Sequence, residues 1–422
     1  MEALPTIPEW VSLEHQVAQI LTQQELHGWQ FDEDAAWKLT STLNSELREI
    51  EEALRRRHPF VAGAEFTPRR NNSTKGYEKG ASFTRLTELN PTSRDHISWI
   101  LQTHYGWKPT QMTATGKPIV DEVILTEIGS EISTMFARCL TVTKMLGMLS
   151  NGANAWLKLS TNDRIHHHCS VATSTHRCAH RNPNLGQVPS DSRFRELFIP
   201  SKNMVMVGAD LSGIELRMLS HYLARFDGGR YADILINGDI HQVNADKIGI
   251  SRKQVKTVTY AFLYGAGDEK IGHSYDAQLS SVQAKKKGKE IRAAYVNAVA
   301  GLGDLLDAIK KASEKGFIKS IDGRKINVDS PHKALNYLLQ SGAGVVAKRW
   351  MVINQNIMHD IGICASQLAF IHDELQFECA PECTEDLRTS LVYSATAAGE
   401  YYNMRVRIDA EATTGKNWSE TH

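Results

Sequence analysis

Residues 366–380 read SQLAFIHDELQFECA. Two apolar runs rich in strand-forming residues flank His372, Asp373 and Glu374, the pattern of a strand, a tight turn and a second strand. Residues 204–211, MVMVGADL, form a similar run that ends on Asp210 and passes at once into a helix-like segment, IELR. A further short strand is expected around Ile165. Long helical patterns at 214–226, 251–264, 285–315 and 334–358 separate the strands. Strands that pair as hairpins and are interrupted by helical blocks predict an α+β fold, with an antiparallel sheet and inserted helical lobes.

Before residue 160 the chain is mostly helical. Ala36, Leu39, Leu43, Leu47, Ile50 and Leu54 recur at spacings of three and four, one face of a helix that extends to about Arg57. Residues 58–82, rich in Gly, Pro, Asn and Ser, predict a loop or insertion over 58–88. Helices resume at 93–106 and from about 127 to 156.

With 422 residues, 41% apolar and 23% charged, the chain is long enough for two or three cores of a soluble globular protein. Six cysteines without regular spacing predict a reducing compartment and no disulfide scaffold. The first residues lack the basic and apolar stretches of a signal peptide, and no run reaches the ~18–20 apolar residues of a membrane span. A cytoplasmic protein is expected. The net charge of zero counts mildly against a nucleic-acid binder, although basic runs occur at 55–57, 68–80 and 285–290.

The strand-end acids carry the chemistry. One aspartate at a strand end most often caps a turn. Two hairpin-linked strands that bring Asp210 and Asp373 to one edge suit hard divalent cations, which take carboxylate oxygens and leave room for phosphate and water. Residues 251–267, SRKQVKTVTYAFLYGAG, add a helix with a Ser251/Gln254 capping box and Gly265 just past its end. Arg252, Lys256, Tyr260 and Tyr264 fall every fourth residue on one slowly drifting stripe. Two cations followed by two aromatics suit a triphosphate with a base beyond it.

In this order, DLSGIELR, RKQVKTVTYAFLYG and HDE resemble motifs A, B and C of the family A DNA polymerases, those related to bacterial DNA polymerase I. PNLGQVP (183–189), GDIH (238–241) and SPHKALNYLLQSGAG (330–344) extend the likeness. LNPTSRDHI (89–97), GAGDEKIG (265–272), DGRK (322–325) and GKNWSETH (415–422) resemble the replicative branch found in T-odd bacteriophages.

The resemblance implies a right-hand polymerase fold with an antiparallel-sheet palm, helical fingers and a helical thumb. Residues 1–35 would lead into the thumb, 36–160 form the thumb, 161–225 and 331–422 the palm, and 226–330 the fingers. It implies template-directed DNA synthesis with two Mg²⁺ ions held by Asp210, Asp373 and the Leu211 carbonyl, and Glu374 outside them. Lys256, Arg252 and His241 would grip the dNTP phosphates, with Lys256 able to protonate the leaving pyrophosphate. Glu215 would block a ribose 2′-hydroxyl and Tyr260 pack near the incoming sugar. Tyr264 and Gly265 would lie at the template. Arg177, Asn336, Gln340 and His372 would contact the minor groove of primer–template DNA.

Residues 166–181, HHHCSVATSTHRCAHR, raise a separate question. His166, His167, His168, Cys169, His176, Cys178 and His180 are all potential zinc ligands. Their intervals suit a structural zinc poorly, because such sites favour ligand pairs two to four residues apart at the ends of a longer loop. The resemblance makes THR (175–177) the family's minor-groove element, with His176 replacing a glycine, so Arg177 is the functional residue and no structural zinc is expected.

Only about 160 residues precede the palm-like part, so no intrinsic 3′–5′ exonuclease is expected. A separate exonuclease chain or a helicase–primase would be the partner. Thioredoxin, which binds a long thumb insertion in the T-odd phage enzymes, is not expected to bind the shorter 58–88 segment. The rival readings are a single-subunit phage RNA polymerase, against which Glu215 speaks, and an inactive DNA-binding subunit, against which Asp210, Asp373 and Lys256 speak.

Overall fold

The computed structural model describes residues 7–422, so the first six residues of the segment expected to lead into the thumb lie outside the described residues. The chain divides into two compact units: residues up to 36, 153–276 and 282–422 in one, and 37–152 with 277–281 in the other.

The first unit is built on a four-stranded antiparallel sheet. Its elements in chain order are α1 (Glu9–His27), β1 (Val205–Leu211), α2 (Ile214–Asp227), α3 (Arg252–Leu263), α4 (Ala334–Ile361), β2 (Ala365–Ile371), β3 (Glu374–Cys379), α5 (Thr384–Tyr401) and β4 (Ala410–Gly415). The strand order is β2–β3–β1–β4. The β2–β3 hairpin and the β1 strand have the predicted bounds to within a residue or two.

β3 is buried on both faces, yet its sequence alternates. Leu375, Phe377 and Cys379 enter the helical core with Trp350, Leu387 and Leu391. Glu374, Gln376 and Glu378 face the other way, where each finds partners. Glu378 accepts the Ser201 backbone N–H at 2.6 Å, and Gln376 Oε1 accepts the Thr421 hydroxyl at 2.7 Å. Buried polar groups cost little only when bonded in this way.

Three features were not foreseen. Residues 1–35 were expected to lead into the thumb, and the packing of α1 on α4 and β2 of the sheet unit was not read. A buried lysine in the middle of α4 explains this: Lys348, fully inaccessible, donates to Glu14 of α1 at 2.8 Å. Without that carboxylate its charge would be stranded in the core. Secondly, the 285–315 helix is two helices, Ser281–Ala298 and Leu302–Ser313, broken at Gly301 with φ +76°. Thirdly, the edge strand β4 was missed because AEATTG carries almost no apolar signal.

The second unit has its own core of Leu54, Ile97, Leu101, Leu125, Ile132 and Phe136, among others. The segment read as a loop over 58–88 contains a hairpin, Phe60–Phe66 paired with Phe83–Glu88. Phe66, Tyr77 and Phe83 cluster with ring centroids 5.4–5.6 Å apart. Glycine, proline and asparagine in the connection hid this alternation.

Candidate active site

Register places the acids. Glu374 of β3 pairs with Asp210 of β1, and the Leu211 N–H donates to the Asp373 carbonyl at 3.0 Å. Asp210 and Asp373 therefore lie at the same end of adjoining strands. The turn is held by His372 at φ +60°, a left-handed conformation uncommon outside glycine and frequent at functional sites.

Asp210 keeps an exposed face, but the protein around it, followed by the nearby Glu374 charge, pushes its carboxyl up to about 6. Burial and then repulsion from Asp210 push Asp373 up to about 7, with Arg177 opposing. Neither side chain is in an ion pair among the described residues. Two such carboxylates with no cation fit a metal-binding role, since bound divalent charge would relieve both causes.

Glu374 has a different environment. It is buried and accepts from Trp418 Nε1 at 2.6 Å and Gln376 Nε2 at 2.7 Å, while His422 Nδ1 lies 2.8 Å from its other oxygen. Gly208 makes room for this tail, because a Cβ there would collide with the Thr421 carbonyl and the Gln376 amide. Gln376, Trp418 and His422 were missed as site residues. Only the likeness of the GKNWSETH ending to the phage branch hinted at Trp418 and His422.

Helix α3 carries the second half of the site. Ser251 and Gln254 form the predicted capping box, and Gly265 follows the helix at φ +72°. Arg252 and Lys256 are exposed. Arg252 Nε donates to Asp239 at 2.7 Å, whereas Lys256 has no ion-pair partner among the described residues. His241 is buried with Nδ1 unpartnered, its ring 6.2 Å from Tyr260. Tyr260 and Tyr264 stack with centroids 6.5 Å apart.

Glu215 ties motif A to motif B. It accepts from Arg177 Nη2 at 3.0 Å and from the Tyr264 hydroxyl at 2.9 Å. Burial and then this carboxylate raise the Tyr264 phenol to about 12. Asp373 thus lies within electrostatic reach of Asp210, Glu215, Arg177, Tyr260 and Tyr264.

Of the remaining predicted residues, Gln340 is half-buried and Asn336 buried. Asn336 donates its amide to the Leu263 carbonyl at 2.9 Å, which braces the end of α3. His372 stands edge-on to His180 at 5.6 Å. Sequence reasoning missed Ser341, whose hydroxyl lies 2.7 Å from His176 Nδ1 and supports the loop before Arg177.

We expect Glu374→Gln to slow primer extension by less than about tenfold, because an amide keeps the acceptor oxygen for Trp418 and loses about one charge-assisted bond. Steady-state rates against wild type check this, and a loss as large as that of an aspartate variant would move Glu374 into the metal site.

The chain matches the family described as DNA polymerase family A over residues 65–420. It is 31% identical to the DNA-directed DNA polymerase of Enterobacteria phage T3, over 98% of this chain and 70% of that protein. It is 30% identical to that of Escherichia phage T7 with the same coverage. Among solved structures it is similar to the POL domain of Pol1 from M. smegmatis, in complex with DNA primer-template and dNTP. The TM-score is 0.76 at 20% identity, over 96% of this chain and 70% of that one, a likeness of fold. With the family's motifs A, B and C gathered around one sheet end, this chain belongs to DNA polymerase family A.

Proposed function

We propose that the chain extends a primer 3′-hydroxyl with deoxynucleotides on a DNA template, and that Asp210 and Asp373 with the Leu211 carbonyl hold two Mg²⁺ ions. The observation that supports the reading is the pair of carboxylates with raised pKa values, Asp210 at the end of β1 and Asp373 in the adjoining turn, neither in an ion pair among the described residues, with Lys256 of α3 likewise outside any ion pair among them. When bound, the ions would supply acidification of the primer hydroxyl and neutralisation of phosphate charge.

The chain's own residues do the rest. Lys256, Arg252 and His241 bind the phosphates, Arg252 exchanging Asp239 for phosphate, and Lys256 gives a proton to the departing pyrophosphate. Tyr260 lies beside the sugar, and Tyr264 and Gly265 mark the template position. Arg177, Asn336, Gln340 and His372 touch minor-groove acceptors, which all correct pairs share, so they test pair geometry without reading sequence. In this reading residues 36–160 are thumb, 226–330 fingers, and 161–225 with 331–422 palm.

Glu215 favours DNA over RNA synthesis. Held by Arg177 and Tyr264, it closes the space a ribose 2′-hydroxyl needs. Glu215→Ala should relax selection against NTPs by about tenfold, the equivalent of ~1.4 kcal/mol. Single-nucleotide incorporation of paired NTP and dNTP checks this, and unchanged selectivity would remove Glu215 from the sugar pocket.

The chain should synthesise without a 3′–5′ exonuclease of its own, so an end-labelled primer incubated with Mg²⁺ and no nucleotide keeps its length. Synthesis should be distributive, since a neutral chain has little long-range hold on DNA. Thioredoxin should add little to product length, because the hairpin over 60–88 is short; a several-fold lengthening would contradict this.

A further inference from the structure

The short strands His168–Ser170 and Ala179–Arg181 place Cys169 directly opposite His180. His167, just ahead of the first strand, joins them, its ring 6.4 Å from that of His180. All three are buried, His167 at 1% exposure. One ligand atom from each lies within 4.8 Å of the other two, and Cys169 Sγ is 3.3 Å from His180 Nδ1. Gln24 of α1 closes the remaining side. Its amide is 3.1 Å from His167 Nε2 and 3.7 Å from Cys169 Sγ.

The expectation of no zinc rested on the resemblance, which gave the stretch to Arg177, and on linear spacing. A strand pair removes the second objection, because pairing sets Cys169 opposite His180. Hydrogen bonding explains only part of the cluster. Gln24 donates to His167 and Cys169 and accepts from Gln367 at 2.8 Å, and His180 Nε2 is buried without a hydrogen-bond partner among the described residues. Two imidazoles and a thiol buried together are a donor set that a soft-ligand divalent cation fits.

We propose that His167, Cys169 and His180 bind one zinc-class divalent cation, with Gln24 lining the fourth position. On binding, the Cys169 S–H bond breaks, its proton leaves to solvent and the sulfur lone pair bonds to the metal. Two imidazoles and a thiolate are three of the four ligands of a tetrahedral zinc site. The metal sits between α1 and the strand pair whose loop carries Arg177. Its soft ligands separate it from Asp210 and Asp373, which offer only hard oxygen.

The test uses the whole chain, stripped with chelator and titrated with Co²⁺. Cobalt–thiolate bonding gives a charge-transfer absorption that carboxylate ligation lacks. We expect it to saturate at one equivalent, to be lost when Zn²⁺ is added, and to persist in Asp210→Asn/Asp373→Asn. Cys169→Ser should lose the band while circular dichroism stays that of the wild type. Absence of a thiolate band in the wild-type titration overturns the proposal, whether or not any variant folds. So does a band that survives Cys169→Ser and vanishes in Cys178→Ser. The readout is independent of polymerisation, so its failure leaves the polymerase reading untouched.

Discussion

Asp210→Asn and Asp373→Asn should each reduce primer extension by at least ~10³-fold while leaving duplex affinity near that of the wild type. The loss follows from the role proposed for the metals: ions held there would contribute several kcal/mol of charge stabilisation, and ~1.4 kcal/mol is a factor of ten in rate. An amide supplies one neutral oxygen where a carboxylate supplies charge. Duplex binding should survive because the role proposed for both residues is to hold metal rather than DNA; at the sheet end burial first, and then neighbouring acids, disfavour their charge. Neutralising one even relieves that repulsion, so both variants should be at least as stable as wild type. Rapid-quench extension beside a fluorescence-anisotropy binding curve measures both. Near-normal extension by either variant would remove that residue from the metal site.

Tyr260→Phe should make the enzyme reject dideoxynucleotides by tenfold to a hundredfold, with little change toward normal dNTPs. Tyr260 packs between Tyr264 and His241. Burial, and then the Glu215 and Asp373 charges, raise its phenol, so the hydroxyl stays protonated and able to donate beside the site acids. A normal substrate's 3′-hydroxyl completes the polar contacts near its phosphates, and a dideoxynucleotide leaves that place empty. The tyrosine hydroxyl can fill it and phenylalanine cannot. An unpaired buried polar group costs ~1–3 kcal/mol, which gives the stated range at ~1.4 kcal/mol per tenfold. Competition between ddNTP and dNTP in both proteins decides, and equal selectivity would mean that Tyr260 does not face the sugar.

The parts of the site that were legible in the sequence are those encoded locally. Alternation around His372–Glu374 marked the hairpin, and the Ser251/Gln254 box with Gly265 fixed both ends of α3. What the sequence hid depends on contacts between distant residues. Glu14 meets Lys348 and Trp418 meets Glu374 across long stretches of chain, and no local pattern signals either pair. β4 exists because β1 offers it an open edge, not because AEATTG prefers to be a strand. His167, Cys169 and His180 were visible as residue types, but their convergence required knowing that 168–170 and 179–181 are paired strands. Motif likeness supplied the roles of Glu215 and Arg177; their shared ion pair, with Tyr264 on the same oxygen, came only from the fold.

The most direct measurement is primer extension by the wild-type chain with Mg²⁺, on one template, with dNTPs and NTPs in parallel. The account predicts template-directed extension with dNTPs, little with NTPs, and none when Mg²⁺ is chelated. Equal or better extension with NTPs would favour an RNA polymerase, and no extension with either would contradict the assignment of Asp210, Asp373 and Lys256 to a working active site.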